Sequence, residues 1–191
     1  VRVFPLILIV LAGCQAKPTE NPAVPSPETA PAPTVPARLA FDETKGHLDR
    51  PSGVGFVYPR GWDNLGVTDQ SGVVSLSMRR REPPVEVSIQ WSKLEENLDD
   101  KSVGDGEFNS LQSLYGDKAG KPEPCKSGDQ SGFRLSFAGG PRGATGVELK
   151  GLVYVFAVRH EQQWWKVRLR ATSRDDSLTR AAEGLLKNFR W

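Results

Sequence analysis

The sequence predicts an α+β domain, an antiparallel β-sheet with helices packed on it. Two observations predict it. Several short runs alternate apolar and polar residues between Gly and Pro breakers, the pattern of hairpin-linked strands with one wet face. Two other stretches carry apolar residues at helical spacing, one mid-domain and one at the C-terminus. The size agrees. The chain has 191 residues, 38% hydrophobic and 25% charged, which fits one soluble domain plus extra length and excludes a multi-span membrane protein. A formal net charge of +2 gives no whole-chain pull toward nucleic acid. Two Cys and two His exclude zinc fingers, iron–sulfur clusters and disulfide-stapled scaffolds.

The elements follow in order. Val54-Gly55-Phe56-Val57-Tyr58 is β-branched and aromatic, and Pro59 stops it. Arg60-Gly61 reads as a turn that returns Trp62 to the sheet. Val74, Leu76 and Met78 alternate with Ser75, Ser77 and Arg79; Pro83-Pro84 breaks the chain; Val85, Val87, Ile89 and Trp91 alternate again. That pair reads as a hairpin. Leu94 to Asp100 is an acidic loop. Phe108, Leu111 and Tyr115 stand at i, i+3 and i+7, so a helix is expected over Val103 to Tyr115, with Gly116 as its cap.

Pro122-Glu123-Pro124-Cys125 reads as a strand start, and Phe133, Leu135 and Phe137 as a further strand, closed by a glycine loop at Gly139 to Gly143. Val147 to Arg159 is the strongest strand, apolar on both sides and hence placed centrally. A turn near His160-Glu161-Gln162 leads to Trp165, Val167, Leu169 and Ala171, alternating with Lys166, Arg168 and Arg170. Ser173-Arg174-Asp175-Asp176 resembles a capping box opening the last helix, which carries Leu178, Ala181, Ala182, Leu185, Leu186 and Phe189 toward the core. Six or so strands are expected in all.

Ahead of the domain, Arg2 precedes an apolar run from Val3 to Ala12, too short to span a bilayer and shaped as a secretory signal peptide. Leu11-Ala12-Gly13-Cys14 resembles the bacterial lipobox. The resemblance implies cleavage before Cys14, a thioether-linked diacylglycerol on its thiol, and acylation (palmitate) of its new amine. Two or more chains anchor a protein stably, whereas one does not. The alternative is an ordinary signal peptide that happens to carry a Cys. Gln15 in the next position implies outer-membrane sorting if the host is Gram-negative. From there to about Arg38, seven Pro interleave with Ala, Thr, Ser and Glu, an extended tether of up to about 70 Å. The expected division is 1–13 signal peptide, 14–39 lipidated Cys and Pro/Ala-rich tether, and 40–191 globular domain.

Gly55-Phe56-Val57-Tyr58-Pro59-Arg60-Gly61-Trp62 and the closing Leu185-Leu186-Lys187-Asn188-Phe189 carry a family resemblance. They are similar to the first core strand and last helix of PsbP-like and Mog1-like domains. The resemblance implies an α/β/α sandwich around an antiparallel sheet and a non-enzymatic accessory role. Neither motif is catalytic, and no binding residue of the family carries over.

The residues themselves offer little chemistry. His160-Glu161-Gln162-Gln163-Trp164 begins like a zincin motif, but Trp164 stands at the second ligand position and the run falls at a turn. Cys125 reads as a neutral structural thiol, and Glu95-Glu96 with Asp99-Asp100 as a solvated acidic loop. No metal, cofactor or catalytic residue is expected. Arg79, Arg80 and Arg81 form the densest charge cluster, at a hairpin tip. They read either as solvated charges that guard the hairpin edge or as candidate partner contacts. Trp164 and Trp165 point to opposite faces of one strand; one packs inward, and Trp164 is the candidate contact. The expected function is a membrane-anchored envelope lipoprotein acting as a non-catalytic binding or accessory subunit. It would be held by its N-terminal lipid and engage a protein partner, not nucleic acid. The alternative is a small-ligand or cell-wall glycan binder that uses its five Trp and the cleft between sheet and helices.

Overall fold

The most apolar run of the sequence becomes the strand on which the layers are built. β8 (Lys150–His160) is buried continuously from Gly151 to Val158. Successive side chains of a strand point to opposite faces, so one run supplies two cores. Val153, Val155 and Ala157 meet α1 (Asp100–Tyr115), together with Leu135 and Phe137 of β7 (Gln130–Ala138). Leu152, Tyr154, Phe156 and Val158 meet α2 (Leu178–Leu186) on the other side. The computed structural model describes residues 42–95, 98–140 and 148–191. The signal peptide, Cys14, the tether, Glu96 and most of the glycine loop lie outside the described residues.

Seven strands form the large sheet. β3 (Asp63–Gln70), β4 (Val73–Arg80), β5 (Val85–Lys93) and β9 (Gln163–Ser173) come first, followed by β8, β7 and β6 (Glu123–Ser127), in that spatial order. Every neighbouring pair is antiparallel. β1 (Gly46–Asp49), β2 (Val54–Val57) and β10 (Phe189–Arg190) form a small sheet in the order β1-β2-β10. The small sheet shares the α2 side: Val54, Phe56 and Phe189 lie in one buried cluster with Leu76, Met78, Val85 and Leu185. That covering layer is therefore half helix and half sheet.

Three strands escaped the sequence reading. β3 is half-buried at Asp63 and exposed throughout the rest of its length, so it has no core-facing alternation to read. Its turn, Ser71-Gly72 with φ of 53° and 77°, is the local signal that was there to find. β1 and β10 are too short to show a period. Phe189 is buried as expected, but in β10 paired with Phe56, because the helix stops at Leu186.

Two boundaries also move. α1 begins at Asp100, three residues early, because the Asp99 carboxylate accepts from the Ser102 amide at 2.7 Å and caps the helix. The expected capping box at Ser173 does not form. Ser173 ends β9; its hydroxyl donates to the Pro84 carbonyl at 2.5 Å and accepts from the Asp175 amide at 2.9 Å. It ties the β4–β5 turn to the sheet, and α2 starts later, after Ser177.

Candidate functional site

α1 covers only part of its face of the large sheet. Cross-strand register places Arg170, Ser88 and Ser77 in one row and Arg168, Gln90 and Ser75 in the next, on the same face as the α1 core residues Val153 and Val155. All six are half-buried. Among the described residues no helix or strand packs over this half of the sheet. Its floor is made of small hydroxyls, with Ser75 and Ser88 in contact at 3.3 Å. Lys166, Arg168 and Arg170 of β9 form a basic row along the border with α1.

That border is a polar seam. Arg168 Nη2 lies 2.7 Å from Glu107 Oε1, and Arg168 Nη1 donates to Gln90 Oε1 at 3.1 Å. Glu107 is buried on α1, and Oε1 accepts no aligned hydrogen bond. Arg170 donates to the Tyr115 hydroxyl at 2.5 Å, and its guanidinium stacks 5.0 Å over the Phe137 ring. The seam fixes the helix edge and keeps two guanidiniums beside the open floor. Sequence reading saw Arg168 and Arg170 only as the wet side of a strand. Glu107, apolar in neither sense nor spacing, had no signal that would mark it as buried.

The three adjacent arginines separate. Arg79 is exposed and lies on the open face, opposite Glu86. Arg80 points to the other side, where it donates to the Pro83 carbonyl at 3.3 Å and sits 5.6 Å over the Trp62 ring. Arg81 pairs with Asp63 at 2.9 Å. Trp164 lies on the open-face side of β9, half-buried against the α1 cluster, at the opposite end of the strand from Thr172. Arg79 and Trp164 thus flank one surface, from which Arg80 turns away, while Arg81 reaches Asp63, the neighbour of Arg79 in the same row.

The other singled-out residues sit elsewhere. His47 is in β1 and stacks on Trp91 with ring centroids 5.0 Å apart; burial holds its pKa below the ordinary value. His160 and Glu161 stand at the β8–β9 turn, where Glu161 takes a φ of 55°. Cys125 is half-buried in β6, and burial pushes its thiol up to about 11. No three or more His, Cys, Asp or Glu converge as metal ligands among the described residues, and no described helix is long and apolar enough to cross a membrane.

No family model matches the chain, and no curated protein matches it. Solved structures do. LpqN of Mycobacterium tuberculosis, described as involved in cell envelope biogenesis, superposes with a TM-score of 0.57 at 17% identity, over 71% of this chain and 81% of its own. Cyanobacterial PsbP (CyanoP) of Synechocystis sp. PCC 6803 superposes with a TM-score of 0.52 at 17% identity, over 76% of this chain and 90% of its own. Identity at this level speaks for the fold alone. The superposition on CyanoP, over most of both chains, makes the fold of this domain PsbP-like.

Proposed function

We propose that this protein is a non-catalytic accessory component of the cell envelope, anchored to a membrane through acylated Cys14, whose domain docks an acidic face of a partner protein. The observation that carries the docking reading is the open half of the large sheet. It is lined by serine hydroxyls and edged by Arg79, Arg81, Lys166, Arg168 and Arg170, against which the same side sets Asp63, Glu86 and the buried Glu107. Such a surplus of cations steers an acidic partner and sets its register. The likeness to LpqN supports the envelope setting. The lipobox-like Leu11-Ala12-Gly13-Cys14 and the tether behind it support the anchor.

A photo-crosslinking residue placed at Ser77 in living cells tests the docking face. One discrete protein adduct is expected, and it should vanish when Arg79→Glu and Lys166→Glu are combined. A control probe at Gly184, on exposed α2, should be indifferent to that pair. An adduct that survives charge reversal would overturn the reading. Intact mass of the mature N-terminus tests the anchor: Cys14 should carry diacylglycerol and an amide-linked acyl chain, and an unmodified terminus in the soluble fraction would remove it.

A further inference from the structure

Away from the open face, on the α2 side of the large sheet, β6 and β7 run past α2 and leave a cavity of about 460 Å³. Register builds it. Glu123, Arg134 and Tyr154 stand in one row across β6, β7 and β8, with Cys125, Gly132 and Phe156 in a neighbouring row on the same face. Gly132 has no side chain, and the Phe156 ring takes its room: a Cβ there would stand 2.3 Å from that ring. The wall beside Cys125 is therefore low. Glu183 and Leu186 of α2 close the opposite wall, and Lys187 stands at the rim.

Two features of this cavity lack a structural explanation within the domain. Tyr154 is 1% exposed and lines the cavity, and its hydroxyl makes no aligned hydrogen bond, with the Arg134 guanidinium as its polar neighbour. A buried hydroxyl without a partner is unfavourable unless something completes it. Arg134 is held by Glu123 from the edge, but its Nη1 is 3.6 Å from Glu183 Oε1, beyond hydrogen-bond reach. Arg134 and Lys187 balance Glu123 and Glu183 here, and the Lys126 side chain belongs to the other face of β6. The phenol and the thiol add no negative charge at neutral pH, since burial pushes Tyr154 up to about 12 and Cys125 up to about 11.

The geometry points to a binding site for a small organic carboxylate, whose charged group displaces Glu183 from Arg134 and accepts the Tyr154 hydroxyl while its apolar part rests on Leu186 and Cys125. Glu183 now occupies the position of that carboxylate, and a guanidinium fork matches a carboxylate bidentately. Docking uses the other face of the sheet, so either reading can fail alone.

Hexanoate is the probe, titrated by calorimetry and by the Arg134 Nε–H resonance, with inorganic phosphate in a parallel arm. Saturable hexanoate binding is expected. Tyr154→Phe should weaken it about fivefold, the worth of one hydrogen bond. Glu183→Gln should tighten it, because the competing carboxylate is gone. Thermal melts of the free proteins separate folding from binding: Tyr154→Phe should melt at or above the wild type, since it removes an unpartnered hydroxyl. Absence of saturation by hexanoate, or binding shared equally by phosphate and untouched by Tyr154→Phe, would overturn the proposal.

Discussion

Glu107 of α1 and Arg168 of β9 meet at 2.7 Å on the line where the covered half of the sheet gives way to the open half. The carboxylate is 4% exposed and the guanidinium 20%. Such a pair contributes less than its Coulomb attraction suggests, because both ions give up hydration, yet breaking it strands a charge. Glu107→Ala should therefore cost about 3 kcal/mol in urea unfolding, and adding Arg168→Met should recover part of that loss. If Glu107→Ala unfolds at the wild-type midpoint, the seam does not hold α1.

His47 makes stability depend on pH. Its ring lies against Trp91, and its Nε2 is buried without a partner. Burial lowers its folded pKa, against a smaller opposing pull from the Asp49 and Glu43 carboxylates. The unfolded chain thus takes up a proton first as pH falls, so His47 removes stability below its ordinary value of about 6.5. His47→Phe should flatten the melting temperature between about pH 7 and pH 5. An unchanged slope would assign that dependence to other groups.

Cys125 should be slow to alkylate. With its thiol pushed up to about 11, only on the order of one molecule in a thousand is thiolate at pH 8. Iodoacetamide labelling of the Cys125 peptide, followed by mass spectrometry, should be at least about tenfold slower in the native protein than in urea. Equal rates would mean the thiol is neither buried nor suppressed.

Gly151 is a packing requirement. In β8 it faces Phe137, and a Cβ there would stand 1.9 Å from the ring. Gly151→Ala should lower stability by about 3 kcal/mol through overpacking, despite the usual backbone benefit of alanine. Gly106→Ala, on exposed α1 surface with open space around it, should instead stabilise by about 0.5–1 kcal/mol.

Much of the framework was legible before any coordinates. Val85, Val87, Ile89 and Trp91 read as one buried face because alternation records burial, and they are that face. Leu178, Ala181, Ala182, Leu185 and Leu186 did the same at helical spacing. β3 was illegible for the converse reason: almost nothing in it is buried, so nothing in its composition records a strand. Glu107 carried no signal, because a single acidic residue on a helix reads as solvated unless its partner, 61 positions away in sequence, is known to lie opposite.

By itself the sequence determined the strand and helix types, the hairpin turns, and which residues of one strand share a side, since these follow from local sterics and from the 2- and 3.6-residue periods. Only the tertiary structure decided which side α1 would take and that Arg80 would part from Arg79 and Arg81. It also decided that Cys125, Arg134, Tyr154 and Glu183 would wall one cavity. Those outcomes depend on inter-strand register and on which apolar stripe finds which sheet face. Contacts between residues far apart in the chain set both, and no local pattern encodes them.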